Sequence, residues 1–476
     1  MSPAGGGGLR WRARRAGATV EGAMRRRLLA LALVGAAATD VAAEGTPLDA
    51  LLARTDAVAK EVAKVRGLKL KRKVPNDVVD KAELRRRLLA MAAEDKVTHD
   101  TAAEGLAQVR WGLIPAGTDY EALLIELLTE QIAGYYDPAT KKLTISRSAG
   151  DDPEWAELVL AHELDHALQD QAFDLTTFEK LPPAEDDAAA ARRALVEGDG
   201  IALMIEVMLA RTGAGAPWSD PQIALAIEKA MAVPGGGDKL DLAPLAIREA
   251  LMFPYRAGLA FVASLRRRQP WSAVDAAFKK PPRSTEQVLH PERYLAGDEP
   301  VPVTITPPRA LAGYQVAHAT VWGELGVGVF LRTHGIDAAT SALAQEGWGG
   351  DRAIVLAPAG ERTAARSVGI ARLEWDTEAD ALEAGEALGK AVDRWLAGAT
   401  LTATPAAPPA GGRLRWVAPD GTVAWLERRD TSMILVVGAP SAAAEALATE
   451  VWTVTARGGA GKAKATSKKP TKKPTR

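Results

Sequence analysis

The segment LVLAHELDHALQDQ, at residues 158–171, contains the most chemically specific pattern in the chain, H-E-x-x-H. It places His162 and His166 four residues apart, with Glu163 directly after the first histidine. On a helix this spacing puts both imidazoles on one face, one turn apart, so both can bind a single metal ion. Glu163 is then placed to accept a proton from water that zinc has acidified. The pattern predicts one Zn2+ ion held by the two histidines, with Glu163 as the general base.

A catalytic zinc site needs a third protein ligand and one position open to water. A metzincin would supply that ligand six residues after His166, where this chain has Ala172, so that class of site is excluded. Farther along, ALVEGDGIAL (194–203) offers two carboxylates on a second predicted helix, Glu197 and Asp199. We predict Glu197 as the third ligand, and Asp199 remains an alternative as a ligand or as a neighbour of the ligands.

Three further residues near this pattern are expected to support the site. Gly198 and Gly200 flank Asp199, and their lack of side chains would let the second helix approach the histidine helix closely. Asp170 lies one turn beyond His166. It either accepts a proton from a ligand imidazole, which would fix the tautomer of that ring, or is an ordinary surface carboxylate.

The elements that must position these residues have sequence signals of their own. Asp152-Pro153-Glu154 combines a capping aspartate, a proline in the first turn and an acidic residue, and predicts a helix that runs to about Ala172. GYYDPATKKLTIS, at 134–146, predicts a strand hairpin around an Asp-Pro turn. Apolar periodicity predicts further helices at residues 48–65, 77–93, 120–132, 184–211 and 242–268, with a connection at 217–241.

HELDHALQDQ followed by LVEGDG resembles the gluzincins, zinc metallopeptidases whose ligands are two histidines and a glutamate on the next helix. Residues 120–380 resemble more closely a group of uncharacterised exported metallopeptidases of bacteria and archaea. That group shares the GYYDP hairpin and the LVEGD motif, together with segments similar to PPRSTEQVLHPERY (281–294) and GWGGDR (347–352).

The resemblance implies a zinc peptidase that acts on a peptide or protein substrate. Carried onto this sequence, it implies zinc ligands at His162, His166 and Glu197, and a general base at Glu163. The N-E-x-x-S-D sequence of thermolysin-like enzymes is absent because position 201 is Ile201, and no G-x-M-E-N aminopeptidase sequence occurs. The resemblance therefore assigns neither a subclass nor a cleavage specificity.

Hydrolysis of a peptide bond also needs a donor for the oxyanion that forms on the carbonyl. His290, Tyr135, Tyr136 and Tyr294 have suitable side chains, and each could equally serve packing or loop hydrogen bonds. Because the resemblance includes the stretch that holds His290, this residue is our candidate catalytic donor. The hairpin at 134–146 could also offer an edge strand to an extended peptide.

After about residue 300 the sequence changes to short β-like runs with a helix at 377–397, so the predicted fold class is α+β. A mainly helical, zincin-like catalytic domain with a small β element would come first, followed by smaller α+β segments. The predicted divisions are a signal peptide (1–43), the catalytic domain with its N-terminal helices (44–300), an α+β segment (301–401), a Pro/Ala-rich linker (402–412), a small β/α segment (413–457) and a disordered Lys-rich tail (458–476).

The N-terminal region predicts export. From Met24 the chain reads MRRRLLALALVGAAATDVAA, a basic region, a short apolar stretch and a small-residue cleavage site ending at Ala43. This order is typical of a secretory signal peptide. We expect translation to begin at Met24 and the mature protein to be periplasmic, secreted or associated with the cell envelope.

Charge is strongly segregated along the 476 residues, although the whole chain carries only −1. Residues 1–43 carry a net charge of +5 and residues 458–476 carry +7, so the body between them carries −13. An acidic body argues against nucleic-acid binding by the folded part. The Lys-rich tail could associate electrostatically with anionic polymers of the envelope. The chain has no cysteine, which excludes disulfides and thiol chemistry.

Two functions from different classes fit this sequence. The leading one is an exported zinc peptidase, and the alternative is an exported binding or structural protein that holds zinc without turnover. Glu163 favours the enzyme, because an inert zinc domain has no physical need for a charged residue between two ligands. No G-x-x-x-x-G-K-[ST] or G-x-S-x-G sequence indicates another chemistry.

Overall fold

A computed structural model describes residues 47–95, 100–231, 237–267, 269–397, 400–401 and 412–458. The predicted signal peptide lies outside these residues, and so do the predicted linker and Lys-rich tail except for Gly412 and Gly458. The fold is α+β, as predicted. In the part of the chain that is described, no helix is long and apolar enough to cross a membrane.

The first part of the described chain is mainly helical. The helices predicted at 120–132, 184–211 and 242–268 are confirmed with small changes in their ends. The helices are α1 (Pro47–Ala53), α2 (Thr55–Arg66), α3 (Lys81–Asp95), α4 (Thr101–Arg110), α5 (Tyr120–Gln131), α6 (Pro153–Phe173), α7 (Leu175–Phe178), α8 (Asp186–Arg211), α9 (Pro221–Met231), α10 (Gly237–Leu242), α11 (Leu245–Arg266), α12 (Ser272–Lys279), α13 (Thr285–Leu289) and α14 (Pro291–Ala296).

A small sheet lies beside these helices, with strands β1 (Asn76–Val79), β2 (Gly134–Asp137) and β3 (Lys142–Ser146) in the order β1–β3–β2. The antiparallel pairing of β2 with β3 confirms the predicted hairpin. β1 pairs parallel with β3, where the sequence predicted the start of a helix. Asp77 of β1 accepts hydrogen bonds from Lys142 and Thr144 of β3, each at 2.7 Å. Pairing with a distant strand therefore overrides the helical periodicity at this point.

Two other predictions differ from the structure. The helix predicted at 48–65 is divided into α1 and α2 at Arg54. The predicted connection at 217–241 contains α9 and α10. Pro221 occupies the start of α9, where a proline is favourable because the first helical N–H groups have no partner within the helix.

The second part of the chain is built around one antiparallel sheet of seven strands, in the order β5–β6–β7–β11–β10–β9–β8. Because β7 pairs with β11, the two segments predicted separately at 301–401 and 413–457 share this sheet. The strands are β4 (Val303–Ile305), β5 (Tyr314–Thr320), β6 (Trp348–Pro358), β7 (Val368–Trp375), β8 (Thr400–Leu401), β9 (Arg413–Val417), β10 (Val423–Arg429), β11 (Ser432–Ala439) and β12 (Thr455–Arg457), with β4 and β12 forming a separate pair. The helices are α15 (Gly323–Thr333), α16 (Ala338–Gln345), α17 (Glu378–Trp395) and α18 (Ser441–Val454).

Helix α6, which carries the HELDH sequence, runs through the core of the helical part. Asp152 caps its first turn, as predicted, by accepting hydrogen bonds from two backbone N–H groups. Leu160, Leu164 and Leu168 are each at most 1% exposed and anchor the helix in the apolar core. α2 and α8 both pack against it. The core therefore holds α6 rigidly and brings α8 alongside it.

Helices α8 and α11 meet at glycines. A Cβ atom on Gly198 would overlap the carbonyl oxygen of Gly258, and one on Gly258 would overlap the carbonyl oxygen of Ala194. The sequence predicted that Gly198 would bring α8 close to the histidine helix. The structure corrects this, because Gly198 instead allows close packing of α8 against α11.

The seven-stranded part docks on the N-terminal end of α8. The hydroxyl of Thr320 donates a hydrogen bond to Asp186 at 2.6 Å, and Arg352 donates one to Glu185 at 2.9 Å. A cavity of about 140 Å³ lies at this junction, with α8 on one side and Trp322 on another. The two parts of the chain thus meet on the same helix that contains Glu197.

Asp187, at this junction, is a buried carboxyl group whose ionisation should affect stability. It is 3% exposed and accepts hydrogen bonds from the N–H and the hydroxyl of Thr285. Burial, together with nearby Asp351 and Glu324, raises its pKa from 3.8 to about 8, although the bonds from Thr285 oppose the shift. The unfolded chain releases this proton above about pH 4, whereas the folded chain keeps it until about pH 8. Rising pH therefore favours unfolding through this group.

Asp187→Asn should remove this contribution to the pH dependence. Wild type should lose stability as pH rises from about 4 to about 8, and the variant should not lose it through this group. The difference in free energy of unfolding should therefore shift in favour of the variant by on the order of a few kcal/mol. Urea unfolding across this range measures the difference. Asp241→Asn, at an exposed position, serves as the control and should follow wild type. A constant difference between Asp187→Asn and wild type at every pH would contradict the assignment.

Candidate metal centre

His162, His166 and Glu197 converge between α6 and α8. The two histidine Nε2 atoms lie 3.0 Å apart, and Oε2 of Glu197 lies 3.2 Å from Nε2 of His162 and 3.4 Å from Nε2 of His166. The three side chains are at most 3% exposed. The structure therefore brings together the three residues predicted as metal ligands, which we call the triad.

The triad has the geometry and the donor chemistry of a zinc site. Tetrahedral Zn2+ with bonds of about 2.0–2.1 Å to N and O atoms requires about 3.3 Å between donors, and the observed separations run from 3.0 to 3.4 Å. Burial alone would favour the neutral form of Glu197, but the two imidazoles outweigh it and lower the pKa of this carboxyl to about 2. Glu197 is thus anionic, as a metal ligand must be.

Glu163 lies next to the first histidine of the triad in the same buried environment. It is 1% exposed, and its Oε2 has no hydrogen-bond partner among the described residues. The backbone N–H of Tyr136 donates to its carboxylate, while burial raises the pKa of Glu163 to about 8. A buried carboxylate oxygen without a partner destabilises a fold. Groups of this kind concentrate at functional sites.

Gln169 fixes the orientation of His166. Its Oε1 lies 3.0 Å from Nδ1 of His166 and is placed to accept the ring N–H, so that Nε2 is the nitrogen that would offer its lone pair to a metal ion. The sequence analysis considered this role for Asp170, and the structure gives it to Gln169. The signal was available, because Gln169 lies three residues after His166 and so on the same helical face.

Asp199 pairs with Arg66 and is not a member of the triad. Nε and Nη2 of Arg66 donate to its carboxylate at 2.8 and 3.0 Å, and both side chains are fully buried. Two residues along a helix rotate a side chain by roughly 200°, so Glu197 and Asp199 face different sides of α8. Arg66 lies 133 positions away in the sequence, and no local pattern could have indicated this pair.

Gly200 provides the space that the ring of His162 occupies. A Cβ atom at Gly200 would lie 2.7 Å from Cε1 and 2.8 Å from Nδ1 of that ring. Both distances are well inside van der Waals contact. Of the two glycines expected to bring α8 close to α6, Gly200 therefore has that role.

His290, our candidate oxyanion donor, hydrogen bonds away from the triad. Its Nε2 lies 2.9 Å from Oε1 of Glu324, in α15. Glu324 is buried and belongs to the seven-stranded part, so the structure places His290 at the junction of the two parts. Tyr255 of α11, which the sequence analysis did not single out, has its ring centroid 6.5 Å from that of His162. The hydroxyl of a tyrosine beside a ligand imidazole is a hydrogen-bond donor of the kind for which His290 was the candidate.

The tyrosines proposed as donors also have structural roles. The hydroxyl of Tyr136 donates to Asp170 at 2.8 Å, and that of Tyr294 donates to the carbonyl of Lys280 at 2.8 Å. Tyr135 is 4% exposed and packs in the core beneath α5. All four residues of β2 are buried, so an extended peptide cannot pair with this strand in the conformation described.

Gly200→Ala should lower the zinc affinity, because the added methyl group displaces the ring of His162. We expect the dissociation constant to rise by about 10–100-fold, as for other changes that disturb the orientation of a ligand. Titration against a competing chelator measures it. Gly385→Ala, where the new Cβ would meet only the flexible Met433 side chain at 3.4 Å, is the matched control. Equal affinities for the two variants would show that the ring of His162 does not need this space.

Two isosteric variants distinguish the ligand from its neighbour. Glu197→Gln removes an anionic ligand and should lower the zinc affinity by orders of magnitude. Asp199→Asn should lower it by only about 10–100-fold, because its effect on the triad is indirect. The same chelator titration ranks the two. If Asp199→Asn lost the metal and Glu197→Gln retained it, the assignment of the third ligand would be wrong.

Comparison with known proteins bears on the second part of the chain. Residues 312–448, which contain all seven strands of the large sheet, match a domain of unknown function (DUF8575). No curated protein and no solved structure matches the chain. The matched domain does not include the triad, so the case for the metal centre depends on its own geometry.

Proposed function

We propose that this protein is an exported zinc-dependent peptidase. The observation that carries the proposal is the convergence of the three predicted ligands, with donor atoms separated by 3.0 to 3.4 Å, beside Glu163, whose Oε2 has no partner among the described residues. Zinc held by two imidazoles and one carboxylate supplies Lewis acidity, which lowers the pKa of water to near neutrality.

The residues of the chain supply the proton transfers and the orientation. A dication bound beside Glu163 would favour its ionised form. Glu163 would then accept a proton from the water whose oxygen attacks the peptide carbonyl, and pass it to the departing amine nitrogen as the C–N bond breaks. His162 and His166 present their Nε2 atoms to one point, and Gln169 keeps His166 in the required tautomer. The surrounding core excludes bulk water, which strengthens each of these electrostatic interactions.

A substrate reaches the triad only if the structure opens beside it, because Glu163 and the three ligands are at most 3% exposed. The junction cavity approaches the triad along α8. Its lining includes Ala190 and Arg193, which are seven and four residues before Glu197 and share its helical face. We infer that a peptide or protein substrate enters from the side of the junction.

The burial of the triad also favours a second candidate, an exported zinc-binding protein without turnover. Structural zinc sites are closed to water, whereas catalytic ones keep an open position. Glu163 distinguishes the two functions, because an inert centre gains nothing from a buried carboxylate oxygen without a partner. We therefore rank the peptidase first.

The proposed setting is the cell envelope or the medium outside it. The basic and apolar pattern after Met24 supports export, and the Lys-rich tail at 458–476 supports electrostatic association with anionic envelope polymers. The acidic body supports a protein or peptide partner over nucleic acid.

Glu163→Gln tests the function directly. Zinc content should stay at one ion per chain, while cleavage of a generic unfolded protein should fall by about 10²–10⁴-fold because the general base is lost. Metal analysis and a cleavage assay on the same preparation provide both measurements. Glu157→Gln changes a partly exposed glutamate on the same helix and should leave both unchanged. A zinc-loaded wild type that cleaves no peptide bond would support the inert alternative instead.

A further inference from the structure

We infer that Arg66 is a positioning residue of the metal centre, and that it acts on His166 through Asp199 and Gln169. The inference rests on the zinc site proposed above. It adds that helix α2 contributes a residue to the surroundings of the centre.

The first step is the contact between Arg66 and Asp199. The guanidinium donates to this carboxylate through Nε at 2.8 Å and Nη2 at 3.0 Å, and both side chains are fully buried. On its other side, Nη1 lies 2.8 Å from Asp275, and the guanidinium stacks on Trp271 at 4.4 Å. Packing and charge together hold Arg66 in one position.

The second step passes through Gln169. Its Nε2 donates to Asp199 at 3.1 Å, to Asp165 at 2.8 Å and to the carbonyl of Val196 at 3.1 Å. Three acceptors on one side of the amide require its NH2 group to face them. Its Oε1 must then face Nδ1 of His166, at 3.0 Å. Asp199 thus helps to determine which way the amide points, and Arg66 holds Asp199 in place as an acceptor.

The third observation is a second link between the N-terminal segment and the same motif. Oε1 of Gln171 accepts hydrogen bonds from the backbone N–H groups of Lys71 and Arg72 at 2.7 and 2.9 Å, and its Nε2 donates to the carbonyl of Arg72 at 3.1 Å. Two glutamines of HALQDQ therefore connect helix α6 to the N-terminal segment. Gln171 binds its backbone, while Gln169 connects its buried arginine to a zinc ligand.

The sign of the effect separates positioning from simple electrostatics. Arg66 is a cation close to a proposed dication site, so Coulomb repulsion alone predicts that its removal would tighten zinc binding. Positioning predicts the opposite, because loss of Arg66 leaves Asp199 buried without its partner and releases the constraint on Gln169. The direction of the change in affinity therefore decides between them.

The test measures zinc affinity by chelator competition in the full chain. Arg66→Met keeps the length of the side chain against Trp271 but removes the charge, and we expect a dissociation constant about 10–100-fold above wild type. Arg66→Lys restores the charge without the two-pronged geometry and should recover part of the loss. In a Gln169→Ala background, Arg66→Met should add little, because the connection to His166 is already broken.

The matched control is Arg211→Met. Arg211 of α8 pairs with Glu61 of α2 at 2.9 Å, so it joins the same two helices but is exposed and lies 14 residues beyond Glu197. The zinc affinity of Arg211→Met should equal that of wild type. An affinity of folded Arg66→Met equal to or tighter than wild type would overturn the inference. If this variant does not fold, Arg66→Lys, whose dissociation constant should still lie above that of wild type, replaces it with the same criterion.

These measurements do not depend on turnover. A zinc-loaded wild type without peptidase activity would refute the proposed function while leaving the affinity comparison intact. Unchanged zinc affinity in the Arg66 variants would refute the present inference while leaving the peptidase proposal intact.

Discussion

Burial of ionised groups within an apolar helical core is the constraint on which this structure depends. Glu197 is fully buried, and so are Arg66 and Asp199. An isolated charge in such surroundings is strongly destabilising, so each one needs a partner with good geometry. Glu197 has the two imidazoles of the triad, and Asp199 has the guanidinium of Arg66. The helices that carry these groups must therefore hold fixed positions relative to one another, because a shift of about 1 Å would separate the partners.

The packing of α8 shows how that precision is achieved. At Gly200 the helix leaves room for the imidazole of His162, and at Gly198 it meets the backbone of α11 at Gly258. Glu197 directly precedes Gly198 in the sequence, so both contacts lie within one turn of the ligand. Close backbone packing leaves little freedom for the helix to slide or rotate. Close packing at these two glycines therefore helps to fix the position of Glu197 relative to the histidines.

The sequence predicts the features that depend on neighbouring residues. The cap at Asp152, helix α6, the β2–β3 hairpin and the triad all follow from local spacing and from the resemblance of short motifs. The features that it did not reveal depend on distant pairing. β1 lies in a sheet because Asp77 meets β3, the seven-stranded sheet joins segments on both sides of the predicted linker, and Arg66 reaches Asp199 across 133 positions. No periodicity encodes such contacts, since they arise only when the chain is folded.

The junction explains how the two parts of the chain can be coupled. The seven-stranded part contacts the first turn of α8 through Arg352 and Thr320, and Glu197 follows about three turns later on the same helix. A helix transmits a displacement of one end to the other as a nearly rigid body. Because α8 packs closely against both α6 and α11, the position of Glu197 relative to the two histidines is tied to the position of this junction.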